Sequence, residues 1–213
     1  MGAYGIMANS RNSLKKQIIA IGSKLYSLRL VTARAGNLSA RVDKDNILIT
    51  ATGSCLGQLK SQHIIRVNLK NKTDIAAKRS FVSSEFPLHR LIYQNFPAKV
   101  VIHCHPPLTN AYFTVYPKLK TLTLESKFYL GEVPVVRQSS LTVTRPKEVV
   151  GALKNNKIVV LKNHGVVSIA DNFKEALYLI EVLEETVKVA VVAALLKKGL
   201  SGKLNKTLKD YLR

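Results

Sequence analysis

The sequence contains few cysteines, few acidic residues and no long uninterrupted apolar run. Two cysteines, Cys55 and Cys104, are too few for a disulfide framework, which indicates a reducing compartment. The richest late apolar segment, residues 189–196, has lysines on both sides and falls short of the roughly 20 apolar residues of a membrane span. The N-terminus has no apolar block behind basic residues, unlike a secretory signal. We therefore expect a soluble, cytoplasmic protein.

The shortage of acidic residues makes the chain strongly basic. It has 33 Lys and Arg against 13 Asp and Glu, a formal net charge of +20 and a pI near 10.1. Such a charge permits a polyanionic partner such as a nucleic acid. The basic residues are spread along the whole chain, however, without a basic tail or an arginine-rich arm. This distribution is typical of a solvated surface, and it would also concentrate a small phosphorylated substrate. The charge leaves these interpretations open, with nucleic acid disfavoured.

The hydrophobic pattern predicts one α/β domain over residues 1–213, with residues 1–12 expected to be flexible. Apolar residues at helical spacing predict helices at 13–28 and 84–96, and Asp171 is the expected N-cap of a long helix that reaches residue 196. Helices near both ends of the chain, with strands between them, indicate a layered α/β fold. The predicted strands are residues 38–42, 47–51, 64–69, 100–104, 133–136, 158–161 and 166–170.

Three of the five histidines have the spacing and context of metal ligands. His103 and His105 are two residues apart on a predicted strand, so both rings lie on one face of the sheet while Cys104 lies on the other. His164 follows another apolar strand, where Gly165 lets the backbone turn. A catalytic zinc site needs three protein ligands and one open position. An H-x-H pair also occurs without a metal, so the pair alone leaves both interpretations open.

Ser83, Ser84 and Glu85 stand at the start of the second predicted helix. A serine there caps free backbone N–H groups and an acidic side chain suits the helix dipole, which is a purely structural use. The same donors can bind a phosphate while the glutamate acts as a general acid and base. His89, one turn after Glu85, is either a packed or exposed residue or one that orients site residues without binding the metal itself. His63 is expected to be packed or exposed, outside any ligand set.

Two further clusters of small polar residues, at 36–39 and 50–54, end or connect predicted strands. Neither has the spacing of a Walker or Rossmann phosphate loop. Each alone is typical of an ordinary turn, because Gly, Asn, Ser and Thr favour turns for local backbone reasons. Together with the serine pair and the H-x-H pair, they indicate a pocket whose N–H and hydroxyl donors face an anion.

Five segments in this order, AGNLSARV, ILITATGS, SSEFPLH, VVIHCHP and LKNHG, resemble the class II aldolase and adducin-head family, and within it the L-fuculose-phosphate aldolases. The similarity extends over roughly residues 14–196. It implies a single three-layer α/β domain with a largely antiparallel sheet between helices. It also implies a homotetramer with active sites between neighbouring subunits, and a phosphorylated sugar as the substrate.

The resemblance also implies a site and a reaction. Zn²⁺, or another divalent cation, would be bound by His103, His105 and His164, with Glu85 able to approach the metal and to transfer the proton. The reaction would be aldol cleavage of a phosphorylated ketose such as L-fuculose 1-phosphate, through a metal-stabilised enediolate, to dihydroxyacetone phosphate and L-lactaldehyde. The implied phosphate pocket comprises Gly36, Asn37, Thr52, Gly53, Ser83 and Ser84.

One departure concerns a tyrosine that L-fuculose-phosphate aldolases bring from a neighbouring subunit. Residues 123–126 have none, and Tyr129 and Tyr211 are the remaining candidates, although surface or packing roles are more typical for both. The aldehyde specificity therefore stays open. Within the family, a ribulose-phosphate epimerase or a methylthioribulose-phosphate dehydratase would use the same histidines. A nucleic-acid-binding protein and a non-catalytic, adducin-like interaction domain are the alternatives from other classes.

Overall fold

The computed structural model describes the backbone of residues 3–200 and the side chains of residues 12–198. The first helix begins well before residue 13, while the expected flexibility of residues 1–12 stays a prediction. The elements of the described part are α1 (Ala3–Ser27), β1 (Asn37–Arg41), β2 (Asn46–Thr50), β3 (Ile64–Asn68), α2 (Lys72–Lys78), α3 (Phe86–Asn95), β4 (Val100–Cys104), α4 (Pro107–Val115), α5 (Leu124–Leu130), β5 (Val135–Arg137), α6 (Pro146–Ala152), β6 (Ile158–Lys162), β7 (Gly165–Ala170) and α7 (Phe173–Leu200).

The seven strands form one sheet in the order β3-β2-β1-β4-β7-β6-β5. Every neighbouring pair is antiparallel except β5 with β6. The central strand is β4, on which His103 lies opposite Asn37 of β1 and Val167 of β7. The prediction of a largely antiparallel sheet is confirmed. The sheet also brings segments that are far apart in the sequence next to the His103 position.

Each face of the sheet carries its own hydrophobic cluster, which confirms the three layers. Alternate residues of β4 belong to different clusters, as the period of a strand requires. Ile102 and Cys104 therefore lie on one face and Val101 on the other. One cluster joins the sheet to helices α1, α4 and α7 through Ile18, Leu25, Phe113, Ile180 and Leu183. The opposite cluster joins it to α3 and α6 through Leu88, Ile92 and Val149.

The hydrophobic pattern does not predict the four short helices α2, α4, α5 and α6. They have seven to nine residues each, about two turns, which is too short for a clear helical period. No helix within residues 3–200 has both the length and the apolar character that crossing a bilayer requires.

The expected N-cap of the last helix is wrong. Helix α7 begins at Phe173, and the side chain of Asn172, not of Asp171, accepts a hydrogen bond from the backbone N–H of Glu175 at 2.9 Å. Asn and Asp are comparable caps, so the local sequence does not decide between two adjacent candidates. The position of Phe173, which is only 3% exposed, is set by packing against the sheet.

Helix α4 begins directly after the histidine pair, and a distant side chain caps its first turn. Its N-cap residue, Pro106, provides no side-chain acceptor. The Glu184 carboxylate of α7 instead accepts the backbone N–H groups of Leu108 and Thr109, both at 2.9 Å, and the Thr109 hydroxyl at 2.7 Å. A negative acceptor also suits the positive end of the helix dipole. This contact fixes the direction of the chain immediately after His105.

We expect Glu184→Ala to lower the free energy of unfolding by about 2 kcal/mol, because two backbone donors and one buried hydroxyl lose a charged acceptor. Urea denaturation of the purified protein measures the loss. Glu185→Ala is the matched control, since this side chain is exposed and forms an exposed ion pair with Lys188, and we expect a change of about 0.5 kcal/mol or less. Equal losses in the two variants would contradict the capping role.

Candidate functional site

Three imidazole rings converge at the carboxyl end of β4. The Nε2 atom of His103 lies 3.0 Å from Nε2 of His164 and 3.1 Å from Nε2 of His105. Within the described part of the chain, these residues form the one group of His, Cys, Asp or Glu side chains that is arranged to hold a metal ion, with their ligand atoms within 4.8 Å of one another. The structure thus brings together the three histidines that the sequence singles out.

Burial and hydrogen bonding leave the nitrogen lone pairs of these rings available to a cation. The Nδ1–H of His103 donates to the Val166 carbonyl at 2.9 Å, so its Nε2 is the unprotonated nitrogen. Burial lowers the pKa of His105 to about 4 and the pKa of His103 well below its usual value. Burial also lowers the pKa of His164, against a smaller opposing effect of a hydrogen bond with the Ser140 backbone. All three rings are therefore neutral near pH 7.

The donor set fits a divalent metal. Tetrahedral zinc with ordinary Zn–N bonds separates its nitrogen ligands by about 3.3 Å, close to the 3.0 and 3.1 Å from His103 Nε2 to the Nε2 atoms of His164 and His105. Neutral nitrogens at this distance repel one another unless a cation or a shared proton lies between them. Three imidazoles suit zinc and related borderline metal ions, and they leave a coordination position open.

In the turn that carries His164, the glycine does not supply the change of backbone direction that the sequence suggested. The left-handed backbone conformation is at Asn163, with φ of 64°, and not at Gly165. Glycine is required at position 165 because a Cβ there would overlap the Cys104 carbonyl and come within 2.7 Å of the His105 ring. The Asn110 side chain of α4 donates to the His164 carbonyl at 3.3 Å. The turn is thereby packed directly against Cys104 and His105.

Glu85 places a buried carboxyl at the wall of the same cleft. Its side chain is mostly withdrawn from solvent, and this burial raises its pKa to about 7, while the backbone N–H of Val143 donates to both carboxylate oxygens at 3.0 and 3.3 Å and opposes the rise. Such a carboxyl can gain and lose a proton near neutral pH. The metal-binding group comprises the histidines without Glu85, so its approach to the metal stays a prediction.

The serine cap expected at the start of α3 is only partly correct. The N-cap position belongs to Glu85 itself, and no side chain caps the helix there. The Ser83 hydroxyl accepts the backbone N–H of Glu85 at 3.2 Å, one step before the helix begins. Ser84 is exposed towards the cleft. Its hydroxyl is therefore accessible to a ligand.

All ten residues that the resemblance assigns to the site line one cleft of about 160 Å³. The structure brings them together, while their individual roles stay predictions. Sequence reasoning missed Arg34 and Leu141, which line the same cleft. Arg34 is the only Lys or Arg among the cleft residues of the described chain and stands next to the first polar cluster, which was an available signal. Leu141 comes from a loop that is distant in sequence, and no sequence pattern pointed to it.

The remaining histidines lie outside the metal-binding group, as expected. His63 accepts the backbone N–H of Lys60 through its Nδ1. His89 is fully buried and contacts Asn37 and Ser39 at 2.6 Å each, so it supports a cleft residue on the neighbouring strand β1. Tyr129 lines a different cavity between α5 and α7, and Tyr211 lies outside the described residues.

The chain is similar in sequence and in fold to proteins of known function. Residues 16–191 match the family model for the class II aldolase and adducin N-terminal domain. An L-fuculose phosphate aldolase from Methanocaldococcus jannaschii is 34% identical over 188 residues, covering 86% of this chain and 99% of that protein. A 3-oxo-tetronate 4-phosphate decarboxylase from Escherichia coli K12 is 29% identical over 199 residues, covering 87% and 89%. The crystal structure of L-fuculose-1-phosphate aldolase from Thermus thermophilus superimposes with a TM-score of 0.77 at 27% identity, covering 87% of this chain and 96% of that one.

Proposed function

Because this chain belongs to the class II aldolase and adducin N-terminal domain family, we propose that it cleaves L-fuculose 1-phosphate to dihydroxyacetone phosphate and L-lactaldehyde. The family assignment confirms the resemblance found in the sequence and makes the chain an enzyme of the class II, metal-dependent aldehyde-lyase type. The observation that supports the proposal most directly is the convergence of three neutral imidazoles in a cleft that also contains a buried carboxyl.

We infer that the metal is Zn²⁺, held by His103, His105 and His164. A divalent cation bound there supplies a Lewis acid that stabilises the negative charge developing on the substrate during carbon–carbon cleavage. The protein contributes the ligand geometry, which the Val166 carbonyl fixes for the central ring. Related divalent cations with the same preference for imidazole remain alternatives for a metal analysis to separate.

The remaining cleft residues bind the substrate and move its proton in this proposal. The side chains of Asn37, Thr52, Ser83 and Ser84 and the backbone N–H groups of Gly53 and Ser84 bind the phosphate. A side chain at Gly36 would collide with the His103 carbonyl at 2.8 Å, so glycine lets this loop lie against β4. Glu85 accepts or returns a proton at the substrate carbon, because burial places its pKa near neutral pH.

An aldol-cleavage assay tests the proposal. We expect the purified, zinc-loaded protein to release dihydroxyacetone phosphate from L-fuculose 1-phosphate, measured by coupling to a dehydrogenase that reduces this product with NADH. Unphosphorylated L-fuculose is the control, followed through L-lactaldehyde, the product that both substrates would give. We expect it to react at least about a hundredfold more slowly because it lacks a charged group for the phosphate donors. An active, metal-loaded protein that makes only an epimer or a dehydrated product would overturn the proposal.

A second candidate activity comes from the 3-oxo-tetronate 4-phosphate decarboxylases among the relatives. Their substrate carries a carboxylate as well as a phosphate, and Arg34 gives this cleft a cation for a second anionic group. Release of CO₂ from 3-oxo-tetronate 4-phosphate, without cleavage of L-fuculose 1-phosphate, would favour the decarboxylase. The epimerase and dehydratase alternatives are separated by the products of the same incubations.

We also propose a cytoplasmic homotetramer with active sites at subunit interfaces. Helix α5 supports an interface of this kind, because Leu124 and Phe128 are 84% and 82% exposed in the single chain. Leu124 belongs to the Thr123–Ser126 segment, and Phe128 follows it directly after Lys127. L-fuculose-phosphate aldolases carry a tyrosine from the neighbouring subunit at this segment. Light scattering of the purified protein measures the number of subunits.

A further inference from the structure

A buried chain of four polar side chains leads from the core to the cleft. The Tyr93 hydroxyl lies 2.9 Å from Ser39 Oγ, which lies 2.6 Å from His89 Nδ1. The opposite ring nitrogen, His89 Nε2, lies 2.6 Å from Oδ1 of Asn37, the member that lines the cleft. None of the four is more than 5% exposed. Solvent therefore does not supply the hydrogen bonds between them, and the protons of Tyr93, Ser39 and His89 must find partners within the protein.

The chain of hydrogen bonds can run in two directions, and the end at Tyr93 decides between them. In one direction the Tyr93 hydroxyl donates to Ser39, Ser39 donates to His89 Nδ1, and Nε2–H donates to the Asn37 carbonyl oxygen. In the reverse direction the phenol oxygen of Tyr93 is the last acceptor. Its own proton is then left without a partner, because the structure shows no other hydrogen bond of this hydroxyl in the described residues. A buried, unpaired donor costs more than a hydrogen bond contributes, so the first direction is favoured.

The charge state of His89 agrees with this single direction. Burial lowers the pKa of His89 to about 3, so the ring is neutral and carries one N–H. Ser39 donates to Nδ1 in the favoured direction, so the single N–H belongs to Nε2, and the Asn37 atom that faces it must be an acceptor. The oxygen and the nitrogen of an asparagine amide are assigned from their hydrogen bonds, and a network with one consistent direction makes this assignment. The Asn37 oxygen faces His89, and its NH₂ group is left for the cleft.

We propose that His89, with Ser39 and Tyr93 behind it, is a positioning residue that holds the Asn37 amide with its donor side towards the substrate. This corner of the cleft then offers hydrogen-bond donors only, which suits the oxygens of a phosphate and disfavours ligand groups that need an acceptor. The identity of the ligand rests on the proposed function. The direction of the hydrogen-bond chain does not, so the two can fail separately.

The tautomer of His89 gives a test that needs no substrate. Long-range ¹H–¹⁵N correlation spectra of the metal-loaded protein report which ring nitrogen carries the proton, and His89→Gln assigns the signals by their loss. We expect a proton on Nε2 and none on Nδ1. A ring with its proton on Nδ1 would mean that the hydrogen bonds run in the reverse direction. This result would overturn the inference, whatever the aldol-cleavage assay shows.

Substitutions test the consequence for anion binding, with inorganic phosphate as the probe in calorimetry. We expect His89→Leu to raise the Kd for phosphate and the KM for the sugar phosphate about 10- to 100-fold, the value of one oriented hydrogen bond to a charged group. The kcat and the metal content should change by no more than about threefold, because neither the three metal-binding histidines nor Glu85 is altered. His89→Gln should restore binding to within about threefold of the parent, since its amide N–H can donate to Asn37.

His63→Leu is the matched control, because this histidine lies outside the cleft. Equal phosphate affinity in His89→Leu and His63→Leu would overturn the inference. Equal losses in His89→Leu and His89→Gln would overturn it too, because they would point to packing and not to the donated hydrogen bond. If His89→Leu does not fold, Tyr93→Phe takes its place, with an expected rise in Kd of about three- to tenfold since it removes the donor that sets the direction. An unchanged Kd in Tyr93→Phe would contradict the proposal.

Discussion

Replacing His103 with alanine is expected to remove the metal and to lower kcat/KM by about 10³-fold or more, the size of a lost Lewis-acid contribution of several kcal/mol. His103 is the central ring of the group, since its Nε2 faces both other imidazoles at 3.0 and 3.1 Å. It is also the ring whose orientation the Val166 carbonyl fixes. Elemental analysis of the purified variant and the aldol-cleavage assay measure the two effects.

The control for this experiment is His63→Ala, which removes a histidine outside the metal-binding group. We expect full metal content and full activity in this variant. Chelation of the parent protein should reproduce the loss of activity, and added Zn²⁺ should reverse it in the parent but not in His103→Ala. Stoichiometric metal together with undiminished turnover in His103→Ala would mean that these imidazoles do not hold the catalytic cation.

Replacing Glu85 with glutamine is expected to lower kcat by about 10²- to 10⁴-fold, the usual contribution of a positioned acid and base. Glutamine keeps the shape of the side chain and an oxygen for the Val143 N–H, so the fold of the cleft should be retained. The metal content should be unchanged, because the metal-binding group is complete without Glu85. Glu148→Gln on the surface of α6 is the control, with an activity equal to that of the parent.

The same substitution predicts a change in how stability depends on pH. Burial raises the pKa of Glu85 from 4.5 to about 7, so the folded, metal-free chain keeps a proton that the unfolded chain releases. The contribution of Glu85 to the stability should therefore fall as the pH rises from about 4.5 to about 7, by roughly 3 kcal/mol in total. The buried neutral histidines change the stability in the opposite direction, but they do so equally in the parent and in the glutamine variant. The glutamine variant lacks the loss at Glu85 and should gain on the parent over that interval only. Thermal unfolding of the chelated parent and variant at pH 5 and pH 8 measures the difference. An equal change in stability between the two pH values in both proteins would contradict a buried, protonated carboxyl.

The strands were the most predictable part of the fold. Residues 100–104 match β4 because a short apolar run before the Pro106–Pro107 pair has no other regular structure available. Pairing is a different matter, because nothing in the local sequence states that β4 lies between β1 and β7. The short helices escaped prediction for a related reason. Helix α4 receives its cap from Glu184, more than 70 residues away, and the local sequence contains no trace of it.

In the candidate site, too, local spacing was predictable and contacts between distant segments were not. The ligand pattern was readable because His103 and His105 are two residues apart, which predicts both rings on one face of an extended segment, although β4 itself ends at Cys104. The groups that tune the site were not readable. Glu85 receives its hydrogen bond from the backbone of Val143, and any residue type except proline offers the same N–H. His89 was recognised as a neighbour of Glu85 along the helix, but its contact with Asn37 crosses between elements 52 residues apart.

The central place of β4 in the sheet has a consequence for how the protein acquires its metal. His103 and His164 are 61 residues apart in sequence, and they meet only when β4 has paired with β7. An early hairpin of β1 and β2, which needs only local contacts, presents no imidazole to a cation. Metal uptake should therefore come late in folding, and a site that holds its metal indicates that the long-range strand pairs have formed.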